Sequence, residues 1–308
     1  MAERAVTAPA GASALEAGGP PAPAGERASR PVTARPTRRR RRTSRSRWAL
    51  RLVAMGYVGI LVALPVGLVL WRTIDQGAAT FVEAISGPEA IAAFRLTAIV
   101  AGSAVVINTV FGVGAALLLA RYRFRGRRLM DVLIDLPISV SPIIVGLALI
   151  LAFGWTTGWF GPALQAGGVQ LIFATPGMVL ATAFVSLPLV VREVLPVLTE
   201  TGLEQDQAAR SLGANAVQRF RRITLPTIKW ALAYGVVLSV ARALGEFGAV
   251  RVVSGNVGGQ TQTVTLLVDE RAEQFEPGAY QLSVVLIAVA ALSIVIISII
   301  RPREQSEK

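Results

Sequence analysis

Six apolar runs, each close to the length that crosses a bilayer, constrain this chain of 308 residues more than any other feature. A hydrocarbon core takes roughly 20 residues of α-helix. The runs predict membrane-spanning helices over residues 48–71, 92–120, 129–153, 175–191, 227–253 and 282–300. We expect a bend at Pro65 in the first of them. Because 53% of the residues are hydrophobic and only 16% are charged, we predict an all-α membrane protein with six transmembrane helices.

The basic residues are divided unevenly between the two sides of the predicted spans. If the N-terminus lies in the cytoplasm, 26 of the 31 lysines and arginines fall on the cytoplasmic side. Cytoplasmic loops of membrane proteins are enriched in Lys and Arg in this way. The sequence therefore predicts a multi-pass protein of the cytoplasmic (inner) membrane with both termini in the cytoplasm.

The N-terminal 47 residues carry 11 arginines against 3 glutamates and lack an apolar period. This composition predicts a disordered basic tail over 1–47, a transmembrane domain over 48–301 and a short cytoplasmic tail over 302–308. The run from Arg38 to Arg42 could bind nucleic acid, which would make the chain a membrane-anchored nucleic-acid-binding protein. We interpret it instead as a segment that fixes topology and touches anionic lipid.

The segment between the fourth and fifth runs has its own helix signals. Thr201 and Glu204 have the spacing of a capping box, which predicts a helix beginning there. Gly213 is suited to the left-handed conformation that ends a helix. A second, basic helix is expected over 215–222, and Pro226 fits the first turn of the next helix. We predict two short helices under the membrane whose small side chains let a partner approach the backbone.

These residues resemble the EAA loop of the permease subunits of ABC importers. The resemblance is carried by Gln207-Ala-Ala, by Gly213 and by Ile223-x-Leu-Pro226, although the family usually has Glu where this chain has Gln207. It implies that the loop is a coupling helix, which docks into an ATPase subunit. The residues implied in coupling are Gln207, Ala208, Ala209, Leu212, Gly213, Ile223, Leu225 and Pro226.

A narrower resemblance covers roughly residues 50–300. The segments 135–146, 241–249, 252–256 and 261–263 are similar to the W-type subunit of the sulfate/thiosulfate permeases. Molybdate permeases share Arg-Ala-x-Gly-Glu-Phe-Gly, whereas the continuation Val-Val-Ser-Gly-Asn256 favours the sulfate branch. After Thr263 the family usually has Leu-Pro-Leu, and this chain has Val-Thr-Leu266, which leaves the outer loop less constrained.

The resemblance implies the fold and the partners of the chain. The fold is that of a type I ABC importer permease, with a core over about 92–300 and transport by alternating access. The implied partners are a second, T-type permease subunit, two copies of an ABC ATPase, an extracytoplasmic sulfate-binding protein and the lipid bilayer, with no nucleic acid. A molybdate or tungstate permease is the alternative within the class. A self-contained secondary transporter is another, although inverted repeats are not evident in the sequence.

Several polar residues interrupt the apolar runs and are candidates for the translocation pathway. Arg242 and Glu246 are four residues apart, so they either present a positive potential to a dianion or neutralise each other and shape the helix. Ser139 and Ser141 lie in a proline-interrupted stretch that suits a water-filled gate or a packing kink. Ser254 and Asn256 are gate contacts or loop caps.

The sequence lacks the residues of most catalytic centres. It contains neither cysteine nor histidine, and its two lysines, Lys229 and Lys308, do not end a phosphate-binding Gly-rich loop. We therefore expect no catalytic residue, no metal and no cofactor, and ATP hydrolysis by another chain. Asp131 and Asp135 lie beside five arginines, and we interpret them as interface charges rather than an acid–base pair.

Overall fold

The computed structural model describes residues 44–156 and 158–300, and all regular structure within these ranges is helical. The predicted tail over 302–308 lies outside them, as does the predicted tail over 1–47 apart from the first residues of α1. The helices are α1 Ser44–Asp75, α2 Gly77–Ser86, α3 Pro88–Arg121, α4 Arg127–Ser139, α5 Pro142–Phe153, α6 Gly161–Ala166, α7 Thr175–Thr201, α8 Glu204–Ser211, α9 Ala216–Arg219, α10 Leu225–Leu244, α11 Gly248–Ser254, α12 Val264–Glu273 and α13 Ala279–Ile300.

The chain divides into two units, residues 1–55 and 56–308. In the described part of the first unit, the guanidinium of Arg51 lies over the ring of Trp48, 5.8 Å from its centroid. The second unit contains the rest of α1 and the helices α2 to α13. Pro65 lies inside α1, which continues through it as one helix.

The prediction of six membrane-spanning helices is confirmed in number if a broken pair is counted as one span. Five helices of the described residues are long and apolar enough to cross a membrane: within α1, α3, α7, α9 to α10, and within α13. The sixth is the pair α4 and α5, which is bent by 117°. The proline-interrupted stretch that was predicted in the third span is therefore a full break between two helices. Pro142 disfavours helical backbone at Ser141, whose φ of −59° and ψ of 133° are extended.

Three other span boundaries differ from the prediction. The fourth span does not stop near residue 191, because α7 continues through Pro196 to Thr201. The fifth span was expected to run to residue 253, but its helix ends at Leu244 and a separate helix, α11, begins at Gly248. Gly245 lies at the break, and glycine is a poor helix former. The start of the fifth span also differs. A π-helical turn over Phe220–Thr224 joins α9 to α10, so the span begins at Ala216 rather than near residue 227.

Small residues bring α3 and α10 close to α7 in the core. A Cβ built on Gly112 would lie 3.0 Å from Cβ of Val190, and one built on Gly235 would lie 3.1 Å from Cα of Val190. A buried hydrogen bond, 2.8 Å from Asn108 Nδ2 to Ser186 Oγ, also joins α3 to α7. Close backbone approach and interhelical hydrogen bonds are what hold helices together in lipid. This core of α3, α7 and α10 positions the residues predicted for coupling and those predicted for the pathway.

Candidate functional site

The helix α8 begins differently from the prediction. Thr201 is the last residue of α7, and its hydroxyl donates back to the carbonyl of Val197 (2.7 Å). The N-cap of α8 is Leu203, without a side-chain hydrogen bond. The predicted capping box at Thr201 was therefore wrong, because the hydroxyl is used inside the preceding helix. A capping box is present at the next helix, where Asn215 and Gln218 accept each other's backbone N–H at 2.8 and 3.0 Å.

The residues that follow α8 form an exposed turn. Gly213 has a φ of +85°, which confirms the expected left-handed backbone. A Cβ placed on it would meet open space. Leu212 beside it is 88% exposed, and Gln207 and Ala208 are also exposed, whereas Ala209 is half-buried. We call Gln207, Ala208, Leu212 and Gly213 the α8 surface.

The other residues predicted for coupling lie outside this surface. Ile223 belongs to the π-helical turn, and Leu225 and Pro226 begin α10. Ile223 and Leu225 are half-buried and Pro226 is exposed. Pro226 lies in the first turn of α10, as predicted, and the preceding π-helical turn and α9 extend this helix back to Ala216. These three residues therefore lie where the π-helical turn joins α10, after the α8 surface in the chain.

An anchor of α8 was missed by the sequence reasoning. The carboxylate of Asp206 lies 2.6 Å from Nη1 of Arg219 and 3.3 Å from Nη1 of Arg121, at the end of α3. Arg121 also donates to the hydroxyl of Thr224 (2.7 Å). The side chain of Asp206 is only 15% exposed. Because α8 has no buried residue of its own, these ion pairs hold it against α3 and α9. The lack of an apolar face on α8 is the sequence signal that could have indicated a polar anchor.

Arg242 and Glu246 form an ion pair at the break between α10 and α11. Nη1 of Arg242 lies 2.7 Å from Oε2 of Glu246, and the side chains are 38% and 2% exposed, respectively. Oε1 of Glu246 accepts the backbone N–H of Ala249 (3.0 Å) in the first turn of α11. Its backbone carbonyl accepts from the hydroxyl of Thr265 (2.9 Å). Glu246 therefore holds the break together, while the guanidinium of Arg242 keeps donors free on its exposed side.

The two helix breaks lie side by side. A Cβ built on Gly248, at the start of α11, would lie 3.1 Å from Cβ of Pro142, at the start of α5. One built on Gly146 would lie 3.0 Å from the carbonyl oxygen of Ala249. The close approach of α5 and α11 brings Ser141 near the Arg242–Glu246 break. Ser139 and Ser141 are both exposed, and Ser141 does not cap α5 with its side chain.

Ser254 and Asn256 lie in a separate cluster. Ser254 is buried, and its hydroxyl accepts the backbone N–H of Asn256 (3.1 Å). Asn256, with a φ of +49°, donates to Glu270 (3.3 Å) and accepts from Gln262 (3.3 Å). Gln262 also donates to Glu270. The structure thus makes Ser254 a loop cap and places Asn256 in a hydrogen-bonded cluster with α12.

Asp131 and Asp135 are paired with one arginine. Nη2 of Arg192, on α7, lies 3.1 Å from Asp131, and its Nε donates to Asp135 (2.7 Å). The three side chains join α4 to α7. Within residues 44–156 and 158–300, no cluster of three or more Asp, Glu, His or Cys side chains is arranged to hold a metal ion.

Comparison with known proteins agrees with this architecture. Residues 108–304 match the family described as binding-protein-dependent transport system inner membrane component. The chain is similar to the sulfate transport system permease protein CysW of Synechococcus elongatus, with 42% identity over 83% of this chain and 89% of that protein. It is also similar to the sulfate transport system permease protein CysT of Salmonella typhimurium, with 36% identity over 80% and 89%.

Among solved structures, the fold is similar to a chain of a bacterial ABC transporter involved in the import of the acidic polysaccharide alginate. The TM-score is 0.68, and the match covers 83% of this chain and 93% of that chain at 17% identity. At this identity the likeness concerns the fold alone, which is that of the membrane-spanning subunit of an ABC importer.

Proposed function

The chain belongs to the family of binding-protein-dependent transport system inner membrane components, and on that premise we propose that it carries sulfate or thiosulfate across the cytoplasmic membrane as a permease subunit of an ATP-driven importer. The observation that carries this proposal is similarity to sulfate transport permeases over more than four fifths of the chain. The same relatives favour sulfate over the alternative of molybdate or tungstate. Membership of this family also argues against a self-contained secondary transporter.

We propose that the α8 surface is the contact for the ATPase. An 88% exposed leucine at the end of a charged helix gains by burial against a partner. The left-handed turn at Gly213 and the small side chain of Ala208 let a partner's groove approach the backbone. Through Asp206, a force on α8 reaches the ends of α3 and α9. Glu in place of Gln207 is the family's usual choice, so one charge contact is absent here.

The translocation pathway is assigned to the paired breaks. Arg242 is held in place by Glu246 and keeps more than a third of its side chain exposed, which suits transient attraction of a dianion without tight binding. Ser139 and Ser141 offer hydroxyls beside it. A weak contact with the solute is sufficient, because the external binding protein selects the solute. The pathway then needs only to let it through. Ser254 and Asn256 shape the loop beyond α11.

The remaining parts of the proposal concern the assembly. ATP is hydrolysed by other chains, since the sequence has no Gly-rich loop that ends in Lys-Ser or Lys-Thr. The partners are a T-type permease subunit, two ATPase copies and an extracytoplasmic sulfate-binding protein. Both termini lie in the cytoplasm, and residues 48–301 form the transmembrane domain.

The test is uptake of labelled sulfate in cells that lack this chain and then express it again, with molybdate as the competitor. Restored uptake that molybdate inhibits poorly is the expected result. Absence of sulfate uptake that depends on this chain, with molybdate entering instead, would overturn the assignment of sulfate while leaving the family unchanged.

A further inference from the structure

A pocket of about 360 Å³ is lined by residues of α3, α4 and α7, none of which belongs to the α8 surface or to the Arg242–Glu246 and Ser139–Ser141 breaks. Its lining comprises Leu119, Arg127, Arg128, Asp131, Arg192 and Leu195. Three arginines against one aspartate make it a cationic site with apolar walls. The proposed function uses none of these residues.

The charge in the pocket is only partly neutralised. Arg192 is bound to Asp131 and Asp135, as described above, so the aspartate in the lining is already occupied. Arg127 and Arg128 open α4, and neither has an ion pair within the part of the chain that the structure describes. Two guanidinium groups beside one open pocket are a favourable site for a phosphate or sulfate group, which accepts paired hydrogen bonds from arginine.

The surroundings of the pocket favour a lipid as the source of that group. The helix that begins with Arg127 and Arg128 continues with exposed leucine and valine side chains at Leu129, Val132 and Leu133. An acyl chain can lie along this apolar face while its headgroup occupies the pocket. A free oxyanion would make no use of the apolar face. Basic pockets between transmembrane helices on the cytoplasmic side bind phospholipid headgroups in other membrane proteins.

We propose that this pocket binds the phosphate of an anionic phospholipid from the cytoplasmic leaflet, with Arg127 and Arg128 as its ligands and Leu129, Val132 and Leu133 along its acyl chain. The bound lipid joins α3, α4 and α7 at the membrane surface. The site does not depend on which solute is transported, so failure of the sulfate assignment would leave it standing.

The test uses the whole purified transporter in nanodiscs and native mass spectrometry of the lipid that stays bound after release. At equal mole fractions, the unaltered transporter is expected to retain phosphatidylglycerol in preference to phosphatidylcholine. In R127Q/R128Q the affinity for phosphatidylglycerol is expected to fall by about tenfold, which corresponds to losing about 1.4 kcal/mol of charge-assisted hydrogen bonding. The matched control is R123Q/R125Q, which removes the same charge from the preceding exposed loop and should leave retention unchanged.

Three outcomes would overturn the proposal. One is equal retention of the two lipids by the unaltered transporter, a measurement that does not depend on the folding of any variant. Another is an equal effect of the two double substitutions, which would indicate general attraction to a charged surface. The third is displacement of bound phosphatidylglycerol by millimolar sulfate, which would assign the pocket to a free oxyanion.

Discussion

The α8 surface and the paired helix breaks are built in opposite ways. The helix α8 has no buried residue and is held by the ion pairs of one carboxylate, Asp206. At the breaks, Gly146 and Gly248 bring α5 and α11 into close contact, and the buried carboxylate of Glu246 joins α10 to the first turn of α11. On the α8 surface, which we propose as a contact for another protein, Leu212 is left uncovered. At a helix break inside the membrane, by contrast, the freed backbone N–H and C=O groups need hydrogen-bond partners within the protein.

The comparison predicts that substitutions at the breaks lower the free energy of unfolding far more than substitutions on the α8 surface. The most severe substitution should be E246A, which leaves Arg242 unpaired and the N–H of Ala249 without its acceptor. Removing one partner of a buried pair costs about 3–5 kcal/mol, and the partial exposure of Arg242 places this case near 3 kcal/mol. Denaturant unfolding of the purified transporter measures it. D269A, which removes a partner of the more exposed Arg251, should cost less than half as much; an equal cost would contradict the comparison.

The same site separates attraction of the solute from scaffolding. In R242A/E246Q the amide oxygen can still accept from Ala249, and no unpaired charge remains, so stability should recover relative to E246A. Sulfate uptake should stay low, because the cation that attracts the dianion is gone. Recovery of uptake together with stability would assign Arg242 to scaffolding alone.

A smaller loss is expected for G146A. The new Cβ would lie 2.7 Å from Cβ of Val252, so α5 and α11 must move apart, at a cost of about 1–3 kcal/mol. The matched control is G102A in α3, where a Cβ meets no atom within 4 Å. Alanine there should stabilise the helix by about 0.5–1 kcal/mol. Thermal unfolding of both variants checks the opposite signs, and a stable G146A would mean that the breaks are loosely packed.

Asp206, the anchor of α8, should contribute less to the free energy of unfolding than Glu246 or Gly146. D206N removes the charge from the two ion pairs to Arg121 and Arg219 but keeps an oxygen that accepts from them, so the loss should be about 1 kcal/mol. We expect that small loss in denaturant unfolding together with a larger fall in sulfate uptake, because α8 is no longer held against α3. E204Q, an equal charge change in the first turn of the same helix, should alter neither quantity. An equal fall in uptake for E204Q would rule out a specific role for Asp206.

The α8 surface itself should contribute nothing to folding. L212D changes a side chain that is 88% exposed, so the free energy of unfolding should not change, while uptake falls by about tenfold or more because a charge replaces the apolar contact with the partner. L212M keeps the apolar contact and should transport normally. Leu212 is a sharper test than Gly213, whose φ of +85° makes every substitution strained. Normal uptake in L212D would remove the coupling role of this surface.

The sequence was sufficient for features that depend on local pattern. The six apolar runs predicted the spans, and the glycine at 213 predicted its own backbone conformation. It was insufficient where long-range packing decides. The prolines predicted an interruption of the third span, but not that it is a full break whose residues pack against Gly248, more than 100 residues along the chain. Asp206 and Arg121 are likewise 85 residues apart. The predicted capping box failed because α7 uses Thr201 first.

The continuous helix from Ala216 to Leu244 has a mechanical consequence. Its 29 residues form a rod about 43 Å long, with the Asp206–Arg219 pair at one end and the Arg242–Glu246 pair at the other. A tilt of only about 5° about one end moves the other by about 4 Å. A single stiff helix therefore connects the anchor of the proposed ATPase contact to the proposed pathway, with no chain of local rearrangements required between them.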